Sequence, residues 1–349
     1  MQLSLKYRPR LFSEVIGQPV SVRILQNTLR MQRIPSAILV TGGHGLGKTT
    51  LARIYAKYLN CESPVDGEPC LVCSACREPE SLSFLELNTA NVNGVDDVRE
   101  LDNLCAQVVV GKYRVLCLDE AHQLTKQAQA ALLKLIEEPP ANTIFLLVTT
   151  DPEKLEDTIR SRCLSLPLRP ATPDELFTNL QKICSQEGII CEEAVLRRLS
   201  EISSIRDAQQ VLNQLAVLAG SDKITMETLD SSGQLISTDQ LKALADVLTQ
   251  KDLAYGLTSV REWLSNGVDL EQLFTEGLPV LLRDFLVFVT GCEASYMTGI
   301  SQESLEKYCT LSLADITKFL REWEMSVEVM RWSSFPKVIW GVYLAKIFE

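Results

Sequence analysis

No apolar run in this 349-residue chain approaches the ~20 residues that a membrane span needs, so the sequence predicts no membrane protein. Low-complexity tracts are missing, and with 46% hydrophobic residues the chain can bury real cores. Met1–Lys6 lacks the charged-then-apolar order of a secretion signal, which predicts a soluble protein that stays in the cytoplasm. No internal repeat stands out. A disulfide framework is not expected either. The 11 cysteines are odd in number, and seven are scattered singly in apolar or helical contexts such as Val115-Leu116-Cys117-Leu118. Those seven read as small buried hydrophobes in a reducing compartment.

Positive charge is scarce in the second half. Residues 171–349 hold 15 basic and 26 acidic side chains, against 19 and 19 in residues 1–170, so they carry the whole net charge of −11. An acidic surface of that kind should not lie along DNA. The first 60 residues differ, with nine basic groups and one acid, Glu14. Any contact with phosphates belongs to the front half, where Arg99, Lys112 and Lys126 are candidates.

At this length two or three compact units are expected. Ala37–Thr41, Ser83–Leu87, Arg114–Leu118 and Thr143–Thr149 are short strand-like runs, and Thr49–Leu59 repeats apolar residues at helical spacing. The strand between Tyr113 and Asp119 is apolar on both faces, as a central parallel strand is. Strands alternating with helices predict a doubly wound α/β domain over 1–170. Prolines near Arg169-Pro170-Ala171-Thr172-Pro173 mark a break, with Thr172 or Asp174 as cap of the next helix. Residues 171–232 then read as a small helical domain, and 233–349 as four or five further amphipathic helices without a convincing strand.

Gly42-Gly43-His44-Gly45-Leu46-Gly47-Lys48-Thr49 fits G-x-x-x-x-G-K-T between a predicted strand and a predicted helix. Glycines let the backbone wrap so that successive N–H groups and the helix N-terminus face a phosphate. Lys48 would reach the β- and γ-phosphates of ATP, and the Thr49 hydroxyl would ligate Mg²⁺. Thr50, next in line, completes the nucleotide-binding set. A chance glycine turn is the alternative. Leu116-Cys117-Leu118-Asp119-Glu120 is an apolar strand ending in two acids: Asp119 would hold Mg²⁺ through water, and Glu120 would polarise the attacking water. The alternative there is an ordinary acidic helix cap. His44 is expected to face solvent, and His122 to have a surface or packing role.

Cys61, Cys70, Cys73 and Cys76 place four thiols within sixteen residues, with Pro64, Gly67 and Pro69 turning the chain. Four thiolates close a tetrahedral Zn²⁺ shell with no open position, which makes the metal structural. Its binding would supply folding energy to an insertion with almost no core. A redox pair or chance clustering stays open. Arg162, in Ser161-Arg162-Cys163, and Arg206, in Ile205-Arg206-Asp207-Ala208, are not singled out by local pattern; a surface charge and an ion pair are the plain readings.

Together these pieces resemble the gamma/tau family of bacterial DNA polymerase III clamp-loader subunits, which are AAA+ ATPases related to replication factor C. The landmarks are Lys6-Tyr7-Arg8-Pro9 with Val15-Ile16-Gly17-Gln18, the glycine loop, the four-cysteine insertion and Asn93-Gly94-Val95-Asp96. They continue with Asp119-Glu120-Ala121-His122, Ala131-Leu132-Leu133-Lys134, Glu137-Glu138-Pro139-Pro140, Thr149-Thr150-Asp151-Pro152 and Ser161-Arg162-Cys163. The likeness is dense to about residue 215 and thins beyond it, where helical character and Pro336–Ala345 are what remains. The loop reads Gly-Gly-His-Gly-Leu where the family more often has Gly-Pro-Arg-Gly-Thr, and Asn88-Thr89-Ala90 differs from the usual acidic-Ala-Ala.

The resemblance implies an α/β P-loop AAA+ domain with a parallel sheet and a zinc-binding insertion, then a helical lid and an all-α collar that assembles subunits. It implies that Tyr7, Arg8, Val15 and Ile16 line the adenine pocket and that Thr150 is a sensor on the γ-phosphate side. Arg162 would be an arginine finger reaching a neighbouring subunit's ATP, and Arg206 a second sensor that closes the lid. The implied partners are delta and delta-prime or their equivalents in a five-subunit hetero-oligomer, the sliding clamp, primer–template DNA and a single-stranded DNA-binding protein complex. The implied activity is ATP-driven clamp loading in DNA replication, as part of the DNA-directed DNA polymerase III holoenzyme. Chain length matches the short gamma form. Two rival classes remain: a non-hydrolysing delta-prime-like subunit, whose hallmark is a damaged phosphate loop, and an AAA+ helicase or remodelling motor.

Overall fold

β-Branched and leucine-rich runs form strands β1 (Ala37–Thr41), β2 (Phe84–Asn88), β3 (Arg114–Asp119), β4 (Thr143–Thr149) and β5 (Leu164–Pro167). They assemble into one sheet of order β2-β3-β4-β1-β5, parallel at every pairing. This computed structural model describes residues 2–77, 83–89, 111–291, 305–306 and 310–349. Ala90, Asn93-Gly94-Val95-Asp96, Arg99, Cys105, Cys292 and Cys309 lie outside the described residues.

Four of the five strands match the expected runs to within a residue or so at their ends. β5 does not figure among them. It has four residues, ends in Pro167 and sits at the sheet edge, where a missing amide breaks no ladder bond.

Contacts divide the described residues into two compact units, one of residues up to Gly188 with Ile202–Gln214, the other of Ile189–Glu201 with Leu215–Glu349. In the first, helices α1 (Pro19–Arg30), α2 (Lys48–Asn60) and α3 (Lys126–Glu137) cover the sheet. Alternation along the strands decides which helix each side chain meets. Val115 and Cys117 of β3, with Ile144, Leu146 and Val148 of β4, join Leu25 of α1 and Leu51 and Tyr55 of α2. Leu116 and Leu118, with Phe145 and Leu147, join Leu132 and Ile136 of α3. Each fully buried side chain of this size contributes about 1.5–3 kcal/mol of transfer free energy. Tyr55 is wholly buried, and its hydroxyl meets Thr28 Oγ1 at 2.7 Å, which ties α2 to α1.

Helix α4 (Pro173–Glu187) starts at the expected cap. Thr172 Oγ1 accepts from Glu175 N at 3.3 Å, the Glu175 carboxylate accepts from Thr172 N at 2.8 Å, and Pro173 occupies the first turn. Helix α5 (Glu193–Ser200) belongs to the second unit; α6 (Ile205–Ala219) begins in the first.

The second unit is helical, with α7 (Met226–Ser231), α8 (Thr238–Gln250), α9 (Leu253–Ser265), α10 (Leu278–Thr290), α11 (Leu313–Trp332) and α12 (Pro336–Phe348). Among its described residues the only β-like pairing is the single bridge Cys191–Ile224. Its core centres on Trp340, fully buried, with Phe274 edge-on at 5.0 Å and Trp263 at 5.9 Å. The Trp340 indole N–H donates to Leu270 O at 3.0 Å, so the ring's polar atom is satisfied.

Of the scattered cysteines that are described, Cys117 and Cys184 are buried as expected. Cys163 and Cys191 are only half-buried. Both lie outside regular elements, Cys163 in the turn before β5 and Cys191 in the loop before α5, so each packs on one side only. Among the described residues no helix is long and apolar enough to cross a membrane.

Candidate functional site

The glycine loop leaves β1 and enters α2 through Gly47, whose φ of +89° only glycine adopts without strain. A Cβ on Gly47 would meet nothing within 4 Å, so backbone conformation and not crowding demands glycine there, beside an open cradle. Gly45 is constrained differently: its Cβ would lie 1.9 Å from Ser204 Oγ. Ser204 in turn caps α6 by accepting from Asp207 N at 3.2 Å, which puts Arg206 in the first turn of that helix.

Lys48 is the first residue of α2 and is 7% exposed. Its Nζ donates to Gly42 O and Gly43 O, both at 2.7 Å, so the ammonium is folded back over its own loop. Burial pulls its pKa below the usual lysine value, opposed by the nearby carboxylates of Glu120 and Asp119. Thr49 Oγ1 donates to Asp119 Oδ2 at 2.9 Å, bringing together a hydroxyl and a carboxylate seventy positions apart.

Asp119 ends β3, and Glu120 follows in the left-handed region at φ +56°. Thr89, fully buried beyond β2, holds that turn: its Oγ1 donates to Asp119 O at 3.0 Å and to Glu120 O at 2.5 Å. Glu120 Oε2 is buried with no hydrogen-bond partner. His122 Nδ1 stands 3.4 Å from that oxygen and 3.1 Å from Thr149 Oγ1. A buried carboxylate oxygen without a partner carries a desolvation cost unless something binds it.

His44, Gly45, Leu46, Gly47, Lys48, Thr49, Thr50, Asp119, Glu120 and Arg206 line one cavity. A second, beside it, is lined by Tyr7, Arg8, Val15, Ile16, Gly45, Leu46, Gly47, Thr50 and Arg206, with Glu14, Asn179 and Gln209 among the rest. The four residues expected to form a base pocket thus share one cavity, and Arg206 and Thr50 border both. Arg8 is held below the usual arginine pKa by burial and then by the charges of Arg53 and Arg206. The Tyr7 hydroxyl donates to Glu187 Oε1 at 2.5 Å, which pushes it up to about 12.

Thr150 and Arg162 line neither cavity. Arg162 is exposed: its guanidinium donates to Thr158 O at 2.9 Å and pairs with Glu137 at 2.7 Å. Lys112 and Lys126, two of the candidate phosphate contacts, are both exposed, and the Lys112 Nζ donates to Cys61 O at 2.6 Å.

His44 is exposed at the mouth of the loop cavity, as expected of it. His122 takes the packing role of the two expected of it. Its side chain is 13% exposed and faces Glu120 and Thr149. No site role is expected from the sequence for Thr89 or Thr149. Thr89 follows the strand that pairs with β3, so a parallel sheet places it level with the acid pair, and that was the available signal.

The four clustered cysteines offer sulfurs all within 4.8 Å of one another, with Cys70 Sγ and Cys76 Sγ 4.0 Å apart. A tetrahedron with metal–sulfur bonds of about 2.3 Å has edges of about 3.8 Å, so the donor set fits a zinc ion. Cys70 N donates to Cys61 Sγ at 3.3 Å and Cys73 N to Cys70 Sγ at 3.4 Å. Amides of Val72 and Cys73 bring the Cys70 thiol down to about 6, in favour of the thiolate a metal needs. Burial pushes Cys76 the other way.

The sheet order, the phosphate-type loop after β1 and the acid pair after β3 define a P-loop protein of the AAA+ class. Two solved structures of RuvB from Thermotoga maritima share this fold. One has a TM-score of 0.52 at 20% identity, covering 76% of this chain and 87% of its own. The other, described as a Holliday junction branch migration motor, has a TM-score of 0.50 at 21% identity, covering 75% and 86%.

The family described as DNA polymerase III, delta subunit, matches residues 17–172. The DNA polymerase III subunit gamma of Buchnera aphidicola is 35% identical over 80% of this chain and 77% of its own length. The subunit tau of Salmonella typhimurium is 33% identical over 95% of this chain and 52% of its own. The chain belongs to the DNA polymerase III gamma/tau subunit family. It spans about half the length of the tau relatives it matches.

Proposed function

We propose that the chain binds ATP with Mg²⁺ at the glycine loop and serves as an ATP-hydrolysing subunit of a DNA polymerase clamp loader. The observation that carries this is the meeting of Thr49 Oγ1 and Asp119 Oδ2 at 2.9 Å beside the half-enclosed Lys48 ammonium. Thr49 and Asp119 would hold the Mg²⁺ ion, which neutralises charge developing on the transferring phosphate. Lys48 would exchange its two carbonyl partners for phosphate oxygens. Glu120 Oε2 would accept the proton of the attacking water. Tyr7, Arg8, Val15 and Ile16 would hold the base, and Arg206, between the two cavities, would sense the nucleotide. Thr150 would act as a sensor on the phosphate side.

Arg162, which lines neither of its own chain's cavities, fits a role on a neighbour's nucleotide, so that hydrolysis awaits assembly. In this reading Cys61, Cys70, Cys73 and Cys76 hold a structural zinc. Residues 171–232 are a lid and 233–349 a collar that joins a pentamer with delta- and delta-prime-like subunits in the cytoplasm. The sliding clamp, primer–template DNA and the single-stranded DNA-binding protein complex are its partners in use.

A non-hydrolysing subunit is the second reading, prompted by the delta-subunit description of the matching family. The intact Lys48, Thr49, Asp119 and Glu120 favour the first. Calorimetric titration of the chain with ATP and magnesium tests the site, and absence of binding overturns the proposal. ATP turnover by the assembled loader on primed DNA then separates the two readings.

A further inference from the structure

We propose that Glu68 is a positioning residue of the nucleotide site, tying the cysteine module to the cavity wall formed by Val15 and Ile16, so that metal loading and nucleotide affinity are coupled. This rests on the nucleotide reading of that cavity. Glu68 lies between Cys61 and Cys70, in a tight hairpin. Val65 N donates to Glu68 O at 3.0 Å and Glu68 N to Val65 O at 2.8 Å. The two residues between, Asp66 and Gly67, have φ of +51° and +82°, the left-handed pair that a two-residue hairpin turn requires. Gln26 Nε2 donates to Gly67 O at 3.1 Å, which fixes the hairpin on α1.

From this base the Glu68 carboxylate reaches fifty-six positions back along the chain. Oε2 accepts from Phe12 N at 2.7 Å and Oε1 from Ser13 N at 2.8 Å. Those amides open the 3-10 turn Phe12–Glu14, and amides at such a start have no partner within the turn. Glu14 Oε2 serves the two preceding amides, Arg10 N at 2.7 Å and Leu11 N at 3.2 Å. Val15 N closes the turn on Phe12 O at 3.1 Å, and Val15 and Ile16 then line the base-side cavity. Phe12 is buried edge-on against Tyr58 of α2 at 5.5 Å, so the turn has one apolar anchor and one ionic one.

The ionic anchor depends on the module's order. With four thiolates closed on one ion, both ends of the segment carrying Glu68 are pinned. With the ion removed, the hairpin keeps its bridge and the Gln26 bond but loses its clasp at Cys61 and Cys70. Two charge-assisted hydrogen bonds are then free to weaken, and the cavity wall with them.

The test uses the full chain, Glu68→Ala and Glu68→Gln, with ADP affinity read by calorimetry, tripolyphosphate by competition, and zinc by metal analysis. Glu68→Ala is expected to keep its zinc and its tripolyphosphate affinity while losing about tenfold in ADP affinity. Glu68→Gln should lose less, because its carbonyl still accepts one amide. Stripping zinc from the unmodified chain should lower ADP affinity alike, and stripping Glu68→Ala should add less than about twofold. Unchanged ADP binding in Glu68→Ala would overturn the tie, as would equal losses of ADP and tripolyphosphate, or losses from stripping and substitution that multiply. If the unmodified chain binds no ADP, the nucleotide reading fails first and takes the coupling with it.

Discussion

Replacing Lys48 with methionine separates what this side chain does for the fold from what it does for a nucleotide. Methionine keeps the length and much of the volume of the stem, so the buried position stays filled. In the free chain the substitution removes two charge-assisted hydrogen bonds, to Gly42 O and Gly43 O, each worth about 1.5–3 kcal/mol. It also removes the cost of burying an ammonium, the effect that dominates the lysine's lowered pKa. These oppose each other, so the free chain should melt close to the unmodified one. A bound polyphosphate differs, because nothing in methionine replaces the charge. One unit pair at about 4 Å in a surroundings of effective dielectric about 20 is worth about 4 kcal/mol, or roughly three decades of affinity. Calorimetry with ATP and magnesium reads the binding, and a thermal melt of the free chain reads the fold. A Lys48→Met chain that melts normally and binds within about tenfold of the unmodified chain would refute the reasoning.

Arg162→Ala should leave nucleotide affinity of the isolated chain unchanged, since the side chain lies outside both cavities, and should abolish DNA-stimulated turnover of the assembled loader. Full turnover there would remove the finger assignment. Metal analysis of the purified chain should find one zinc per molecule, lost when Cys61 and Cys76 are both replaced by serine; a metal-free chain would end that reading. In the second unit, Lys251 and then the Ser312 hydroxyl and amide hold Asp315 down to about 2. A depressed carboxylate stabilises the fold above its unfolded pKa, so this contribution should be complete above about pH 4 and lost between there and about pH 2. Asp315→Asn should therefore flatten the acid limb of a melting-temperature profile over that window, and an unchanged limb would show the pair to be idle.

The parts of the site that were legible in the sequence are those built locally. Gly42 to Thr49 needs only its own spacing and flanks, because strand, turn and helix are consecutive. Cys61 to Cys76 likewise closes within one short loop. Asp119 and Glu120 were readable as the polar end of an apolar strand, though their nearness to Thr49 exists only once β3 and β1 share a sheet. Thr89, Thr149 and His122 stand inside landmark motifs, yet their roles were not readable there, since each acts through a hydrogen bond to a distant stretch of chain that only the folded sheet brings near. β5 escaped for a different reason: four residues ending in proline carry no periodicity, and the sheet edge alone makes them a strand. Cys163 and Cys191 show the limit of composition, which predicts burial for the residue type but not that a turn exposes one side.

Strand β3 is apolar toward both helical layers, and this has a consequence for chemistry. A strand with one wet face is locked in frame, because slipping by one residue would swap its oily and polar sides. Val115 through Leu118 offer no such lock; displaced by one, they would still be greasy above and below. What marks the frame is the pair of polar ends, Arg114, buried at 3% exposure, and Asp119, gripped by Thr49. The acid that would hold a metal ion thus also serves as the ruler by which its own strand is threaded. An Asp119→Leu chain should lose more than a ligand: with five consecutive apolar positions, 115 to 119, it would admit shifted pairings that the acid forbids.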